Sequence, residues 1–188
     1  LQHDYTAGTI NRYNEWDPGF LVDYILINHH GYLKRELPNI NAHIDKIVSR
    51  HGSNHPELAE LQHYFNELRT EIEQHLYKEE QILFPYVNQL LLAQENGQDT
   101  GGFHCGSIDQ PISVMEMEHE SAGEMLRKMR HAANDYKLPE DACNTYRLTF
   151  DQLQELEADM HQHIHLENNI LFPKASRMEK QMAGEVAV

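Results

Sequence analysis

An all-α fold, an antiparallel up-down-up-down four-helix bundle, is what this sequence predicts. Three observations predict it. Four long segments carry apolar residues at alternating steps of four and three, the connections between them carry helix-start and turn residues, and nothing reads convincingly as a strand. At 188 residues the chain suffices for one domain with a substantial core. The bundle is assigned to residues 18–176, between a linker or N-terminal extension at 1–17 and a C-terminal tail at 177–188.

Asp17-Pro18 reads as an N-cap followed by proline at the first helical position, opening the first helix. Its stripe at 26, 30, 33, 37, 40, 44 and 47 reads Leu, His, Leu, Leu, Ile, Ile, Ile. Pro38 falls inside it and predicts a kink or break, since a mid-helix proline costs about 3 kcal/mol. The second helix begins near Pro56, after HGSNH, with a stripe at 61, 65, 68, 72, 75, 79 and 82: Leu, Phe, Leu, Ile, His, Glu, Ile. Gln94 to Gln110, rich in Gly, Asn, Gln and Asp, is the one long loop. Pro111 opens a third helix running to about Tyr136, where 112, 115, 119, 122, 126 and 129 read Ile, Met, His, Ala, Leu, Met. Ala122 and Gly123 are small enough to admit a close neighbour. Leu138-Pro139-Glu140 opens the fourth, where 153, 156, 160, 163, 167 and 170 read Leu, Leu, Met, His, Glu, Ile. Pro85 and Pro173, each after an ILF, predict bends or helix ends.

Composition narrows the partners. With 15 Lys+Arg against 30 Asp+Glu, the formal charge is −15 and no basic stripe could neutralise a phosphate backbone, so nucleic acid and anionic membrane are poor partners. No apolar run approaches a membrane span, no secretory signal pattern opens the chain, and two cysteines make no CxxC pair. A reducing, cytoplasmic setting is the simplest expectation. Fourteen histidines in an acidic chain are the unusual feature, because imidazole and carboxylate are ligands of first-row transition metals.

Every seam is broken by a histidine: His30, His75, His119 and His163. Two carry a glutamate one turn later, Glu79 and Glu167, so HxxxE occurs twice, within HLYKEEQILFP and HIHLENNILFP. His30 and His75 are 45 residues apart, and His119 and His163 are 44 apart. The chain thus reads as two similar helical hairpins related by approximate two-fold symmetry. Six inward polar groups in one layer are costly unless a positive charge sits between the carboxylates. Four imidazoles and two carboxylates exceed one tetrahedral zinc and suit two metals bridged by the carboxylates. A bridging oxo or hydroxo group would leave a position for a small molecule. The ligand types suit iron, with manganese and zinc as alternatives; a buried polar network that sets bundle register is the reading without metal.

Other polar residues attract weaker expectations. His29 falls off the stepping and is expected to face water or a helix flank. His161 and His165 lie about 200° around the helix from His163 and are expected at the surface. Glu80 and Glu118, one position off the seam, either hold an imidazole N–H or are solvated. His104-Cys105 is read as loop polarity, and Tyr32, Tyr64 and Phe65 as packing. No GxSxG, no phosphate-binding glycine loop and no Cys-His arrangement with a plausible partner is read in the sequence.

HLYKEEQILFP, PISVMEMEHESAGEML, HIHLENNILFP and INHHGYLKRELP together resemble the hemerythrin-like domain of the di-iron iron–sulfur cluster repair family, over about Phe20 to Ser176. The resemblance implies a hemerythrin-like antiparallel bundle with a non-haem di-iron centre, His30, His75, His119 and His163 as terminal ligands and Glu79 and Glu167 as bridges. It further implies repair of clusters damaged by oxidative or nitrosative stress, with iron supplied to iron–sulfur proteins as acceptors. Binding or reduction of a diatomic ligand, nitric oxide or oxygen, is the alternative. Family members carry a short N-terminal domain with a cysteine pair, to which residues 1–17 would be the linker.

Overall fold

The computed structural model describes residues 13–97 and 106–184. His104 and Cys105 lie outside the described residues. Among the described residues four helical rods make the fold. α1 covers 18–51 as Pro18–Tyr24, a π-helical segment Ile25–His30, and Gly31–His51. α2 covers 57–96 as Glu57–Lys78, a π segment Glu79–Leu83, and Phe84–Asn96. α3 is Asp109–Ala132, and α4 covers 144–182 as Asn144–Leu166, a π segment Glu167–Leu171, and Phe172–Met182. No strand occurs among the described residues.

Cross-helix contacts fix the directions. Gln62 donates to Asp45 and Glu80 meets His30, so α1 and α2 are antiparallel. Ser121–Glu71 and Glu118–His75 run α2 against α3, Arg130–Glu157 and His119–Asn168 run α3 against α4, and His43–Gln152 with His29–Asp159 close α4 onto α1. This is the predicted up-down-up-down bundle.

Several boundaries and registers differ from expectation. Asp17 caps α1, its carboxylate accepting from Gly19 N at 2.8 Å, with Pro18 opening the helix as expected. The helix Gly31–His51 then continues through Pro38 without a break. Pro38 and Lys34 are both exposed, so water can solvate the Lys34 carbonyl that loses its donor, while Leu37 and Ile40 stay buried. Pro85 and Pro173 do not end their helices; each opens the α-helical stretch after a π turn, where a missing N–H costs least. α3 stops at Ala132, not Tyr136. Asn134, Asp135 and Tyr136 take left-handed φ values of 47°, 54° and 58°, reversing the chain, and the ring of Tyr136 is anchored against Phe150 at 5.6 Å. α4 consequently begins at Asn144 rather than at Leu138–Glu140.

The π segments also move the seams. Ile82, placed in the core by regular stepping, is 48 % exposed, and Leu83 is buried instead; Ile25 replaces Leu26 in the same way. An i→i−5 turn holds one extra residue, so the stripes on its two sides are offset by one. Phe84 N to Glu79 O, Phe172 N to Glu167 O and Gly31 N to Leu26 O are such bonds. A Cβ at Gly123 would meet nothing within 4 Å, so close helix approach is not its role. Past residue 176 the chain stays packed: Met178 is buried, and Glu179 accepts from Ser107 Oγ at 2.6 Å and Ile108 N at 3.0 Å.

The core falls into two apolar clusters. One runs from Leu33 through Phe65 and Leu126 to Met160, the other from Leu21 through Phe84 and Met115 to Met178. The layer between them is polar. Among the described residues no helix is long and apolar enough to cross a membrane.

Candidate metal centre

The polar layer contains all six seam-breaking residues, none more than 5 % exposed: His30, His75, His119 and His163, with Glu79 and Glu167 at 0 %. Their donor atoms fall into two groups that share both carboxylates. His30, His163, Glu79 and Glu167 form one, and His75, His119, Glu79 and Glu167 the other; within each, donor atoms lie within 4.8 Å of one another. Each group draws one imidazole from each hairpin. Sequence periodicity leaves that pairing open.

Contacts inside the layer are short without being hydrogen bonds. His30 Nε2 to Glu79 Oε2, His75 Nε2 to Glu79 Oε1 and His163 Nε2 to Glu167 Oε1 are each 3.2 Å, and His119 Nε2 to Glu167 Oε2 is 3.1 Å. Both oxygens of both carboxylates, and Nε2 of His30 and His163, are buried without a hydrogen-bond partner. His75 Nε2 and His119 Nε2 are 3.0 Å apart. Separations near 3 Å are what a first-row ion with donors at about 2.1 Å produces between ligands at right angles. Unpaired buried carboxylates would otherwise be among the costliest features of a core, so this donor set fits cations.

The outer contacts prepare the imidazoles for that role. His30 Nδ1 lies 2.8 Å from Glu80 Oε1, His75 Nδ1 2.9 Å from Glu118 Oε2, and His119 Nδ1 2.8 Å from Asn168 Oδ1. A carboxylate or amide oxygen accepts only, so each Nδ1 carries the hydrogen and each Nε2 turns a lone pair inward. Lys34 and Lys78 in turn hold Glu80 and Glu118. Glu80 and Glu118 are thus the imidazole-holding groups, not solvated ones.

The electrostatics point the same way. Burial acts to lower His75, yet the adjacent Glu79 carboxylate, with Glu167 and Glu118 behind, raises it to about 9. Burial likewise opposes the charge on Glu167, but the His163 and His119 imidazoles hold its carboxyl well below the usual range. Two carboxylates in a dry layer demand positive charge from whatever sits beside them.

The structure overturns the expectation for His29, which is buried. Its Nδ1 is 2.9 Å from Asp159 and its ring stacks on His163 at 5.4 Å and 7°. The π segment Ile25–His30 rotates it inward beside His30. His29 occupies in the first hairpin the place that Glu118 holds in the second, immediately before the seam histidine. Asn168 similarly matches Glu80, so superposing the two halves of the sequence would have found both residues. Phe84 packs on His30 at 5.5 Å and Phe172 stacks on His119 at 5.9 Å, which gives the repeated ILFP its local purpose. His161 is exposed as expected. His165 is half-buried and pairs with Asn169 at 3.0 Å, apart from the donor groups.

Comparison with known proteins follows the same outline. The model of the hemerythrin HHE cation binding domain matches residues 21–175. The iron–sulfur cluster repair protein ScdA of Staphylococcus epidermidis is 35 % identical over 156 residues, covering 83 % of this chain and 66 % of ScdA. The iron–sulfur cluster repair protein YtfE of Escherichia coli O81 is 36 % identical over 165 residues, covering 88 % of this chain and 66 % of YtfE. The chain therefore spans just under two thirds of the length of these relatives. With its bundle topology, its HxxxE pairs in the central layer and a family match across all four helices, the chain belongs to the hemerythrin HHE cation binding domain family.

Proposed function

We propose that the chain holds two iron ions, one between His30 and His163 and one between His75 and His119. Glu79 and Glu167 each give one oxygen to either ion, and an oxo or hydroxo group completes the bridge. The observation that carries this reading is the pair of donor groups sharing two buried carboxylates whose oxygens have no hydrogen-bond partner. Bound there, the ions would supply exchangeable iron and one-electron redox chemistry.

The function that fits is repair of iron–sulfur clusters damaged by oxidative or nitrosative stress, iron passing to iron–sulfur proteins in the cytoplasm. Similarity to proteins named for that repair supports it. The chain's residues have separable tasks. The imidazoles and carboxylates hold the ions, Glu80, Glu118 and Asn168 orient three imidazoles, and the two apolar clusters keep bulk water from the layer. Each donor group offers four protein ligand atoms, which would leave a position open on a first-row ion and so supports as second reading the binding or reduction of nitric oxide or oxygen.

The test starts from metal-free protein loaded with ferrous iron. About two irons per chain are expected, with transfer on reduction to an apo-cluster acceptor whose activity returns. Irons retained through redox cycling beside that acceptor would refute the supply reading. Nitric oxide added to the diferrous form then tests the second: absence of both spectral change and turnover removes it. A protein that stays folded and empty when iron is offered refutes the metal centre itself.

A further inference from the structure

The four imidazoles of the polar layer are not held alike. Three have an acceptor at Nδ1: Glu80 for His30 at 2.8 Å, Glu118 for His75 at 2.9 Å and Asn168 for His119 at 2.8 Å. His163 does not. Its Nε2 turns inward, 3.2 Å from Glu167 Oε1, while its Nδ1 is buried and has no hydrogen-bond partner among the described residues. The approximate two-fold relation of the hairpins shows what stands in the acceptor's place. Exchanging the hairpins carries His119 onto His30 and His75 onto His163. Glu118, which precedes His119 and holds His75, is thereby carried onto His29, which precedes His30.

A histidine cannot do there what the glutamate does. His29 Nδ1 lies 2.9 Å from Asp159 Oδ1 and carries the hydrogen, because a carboxylate only accepts. Nε2 is then the one acceptor left on the ring, and it too is buried without a partner. The stacking explains why. The two rings lie 7° from parallel with centroids 5.4 Å apart. An imidazole N–H and an imidazole lone pair both lie in the plane of their own ring, so stacked rings point past each other. Asp159, one turn before His163 on α4, does not fill the gap: His29 engages its Oδ1, and its Oδ2 is buried and unpaired. His29 therefore covers His163 without holding it.

We propose that His29 makes the two positions of the metal centre unequal, so that the His75–His119 position fills with iron before the His30–His163 position and empties after it. The inference rests on the two-ion reading above. An acceptor at the second nitrogen fixes the tautomer and orientation of a ligating imidazole and strengthens it as a donor, and loss of that acceptor costs about 10–100-fold in metal affinity. The carboxylates cannot separate the two positions, because Glu79 and Glu167 belong to both donor groups. The outer contacts do. Both imidazoles are held at one position, and only His30 is held at the other. The iron available to an acceptor protein is then the one beside His29.

The test supplies substoichiometric ferrous iron, without oxygen, to crystals of the metal-free full chain and reads each position by anomalous diffraction at the iron edge. An occupancy about tenfold or more higher at His75–His119 is expected. His29→Gln brings an amide whose nitrogen can donate to Asp159 and whose oxygen can accept from His163 Nδ1, as Asn168 accepts from His119. In this variant the ratio is expected to fall below about threefold. His29→Phe keeps a ring over His163 and supplies no acceptor, so the parent's ratio is expected to persist. Equal occupancy or the opposite filling order in the parent overturns the proposal. An unchanged ratio in the Gln variant, or a changed one in the Phe variant, overturns it equally. Should the variants not fold, the parent occupancies decide alone. Iron at neither position refutes the two-ion reading itself, whereas two equally filled positions leave that reading standing and refute only the inequality.

Discussion

Glu118→Ala is expected to disturb the proposed metal centre without removing a donor atom. Glu118 accepts from His75 Nδ1 at 2.9 Å and from Lys78, and no other hydrogen-bond partner of His75 Nδ1 appears among the described residues. Without it the imidazole can rotate, and the tautomer that turns its Nε2 lone pair inward is no longer selected. Loss of such a partner costs about 10–100-fold in metal affinity, equivalent to about 1.4–2.7 kcal/mol. Glu118→Gln should lose less, because His119 already works with a neutral amide, Asn168, at 2.8 Å. Lys78→Ala removes a cation that is 37 % exposed and should weaken binding by about threefold or less. Competition with a chelator of known ferrous affinity measures all three, and a glutamate-to-alanine change at Glu79 marks full loss. Glu118→Ala within twofold of the parent, with Glu79→Ala empty, would refute the claim that the outer carboxylate prepares the imidazole.

Three further outcomes are expected. Phe65→Ala, truncating a 0 % exposed ring in the larger apolar cluster, should destabilise the chain by about 3–5 kcal/mol in urea unfolding with little change in slope; a loss under about 1 kcal/mol would contradict its core placement. Pro38→Ala should raise stability by about 1–3 kcal/mol, since the helix already passes through this exposed position and regains a bond to Lys34 O; a fall would show that proline is built into the bend. His55 is raised by hydrogen bonds to Asp141 and then Glu57, so its contribution is complete below its unfolded pKa and fades as pH rises through the folded one. His55→Gln should therefore lower the melting temperature at pH 5.5 and leave it nearly unchanged at about pH 9; an equal loss at both would exclude ionisation as the cause.

Much of the bundle was legible because a helix's inward face is a local property. Residues three and four apart share that face whatever surrounds them, so His30, His75, His119, His163, Glu79 and Glu167 could be assigned to one layer before any helix was placed. Capping was local too: Asp17 and Pro18 act within their own turn. Failures of the same reasoning occurred where the period changed. Ile82 went to the surface and His29 to the interior because a π turn holds an extra residue, and no residue type in EEQIL or ILINHH announces one. The α3–α4 connection was missed because Asn134, Asp135 and Tyr136 adopt left-handed φ without glycine, a conformation held by the burial of Tyr136.

By itself the sequence determined four amphipathic helices, their order, and which six polar side chains interrupt the apolar seams. Tertiary structure decided that the donors pair His30 with His163 and His75 with His119 across the hairpins, that His29 and Asn168 join the layer, and that His51 meets Cys143. The physical reason is range: periodicity comes from hydrogen bonds within one helix, while these contacts join residues 44 to 134 positions apart whose approach depends on how whole helices pack.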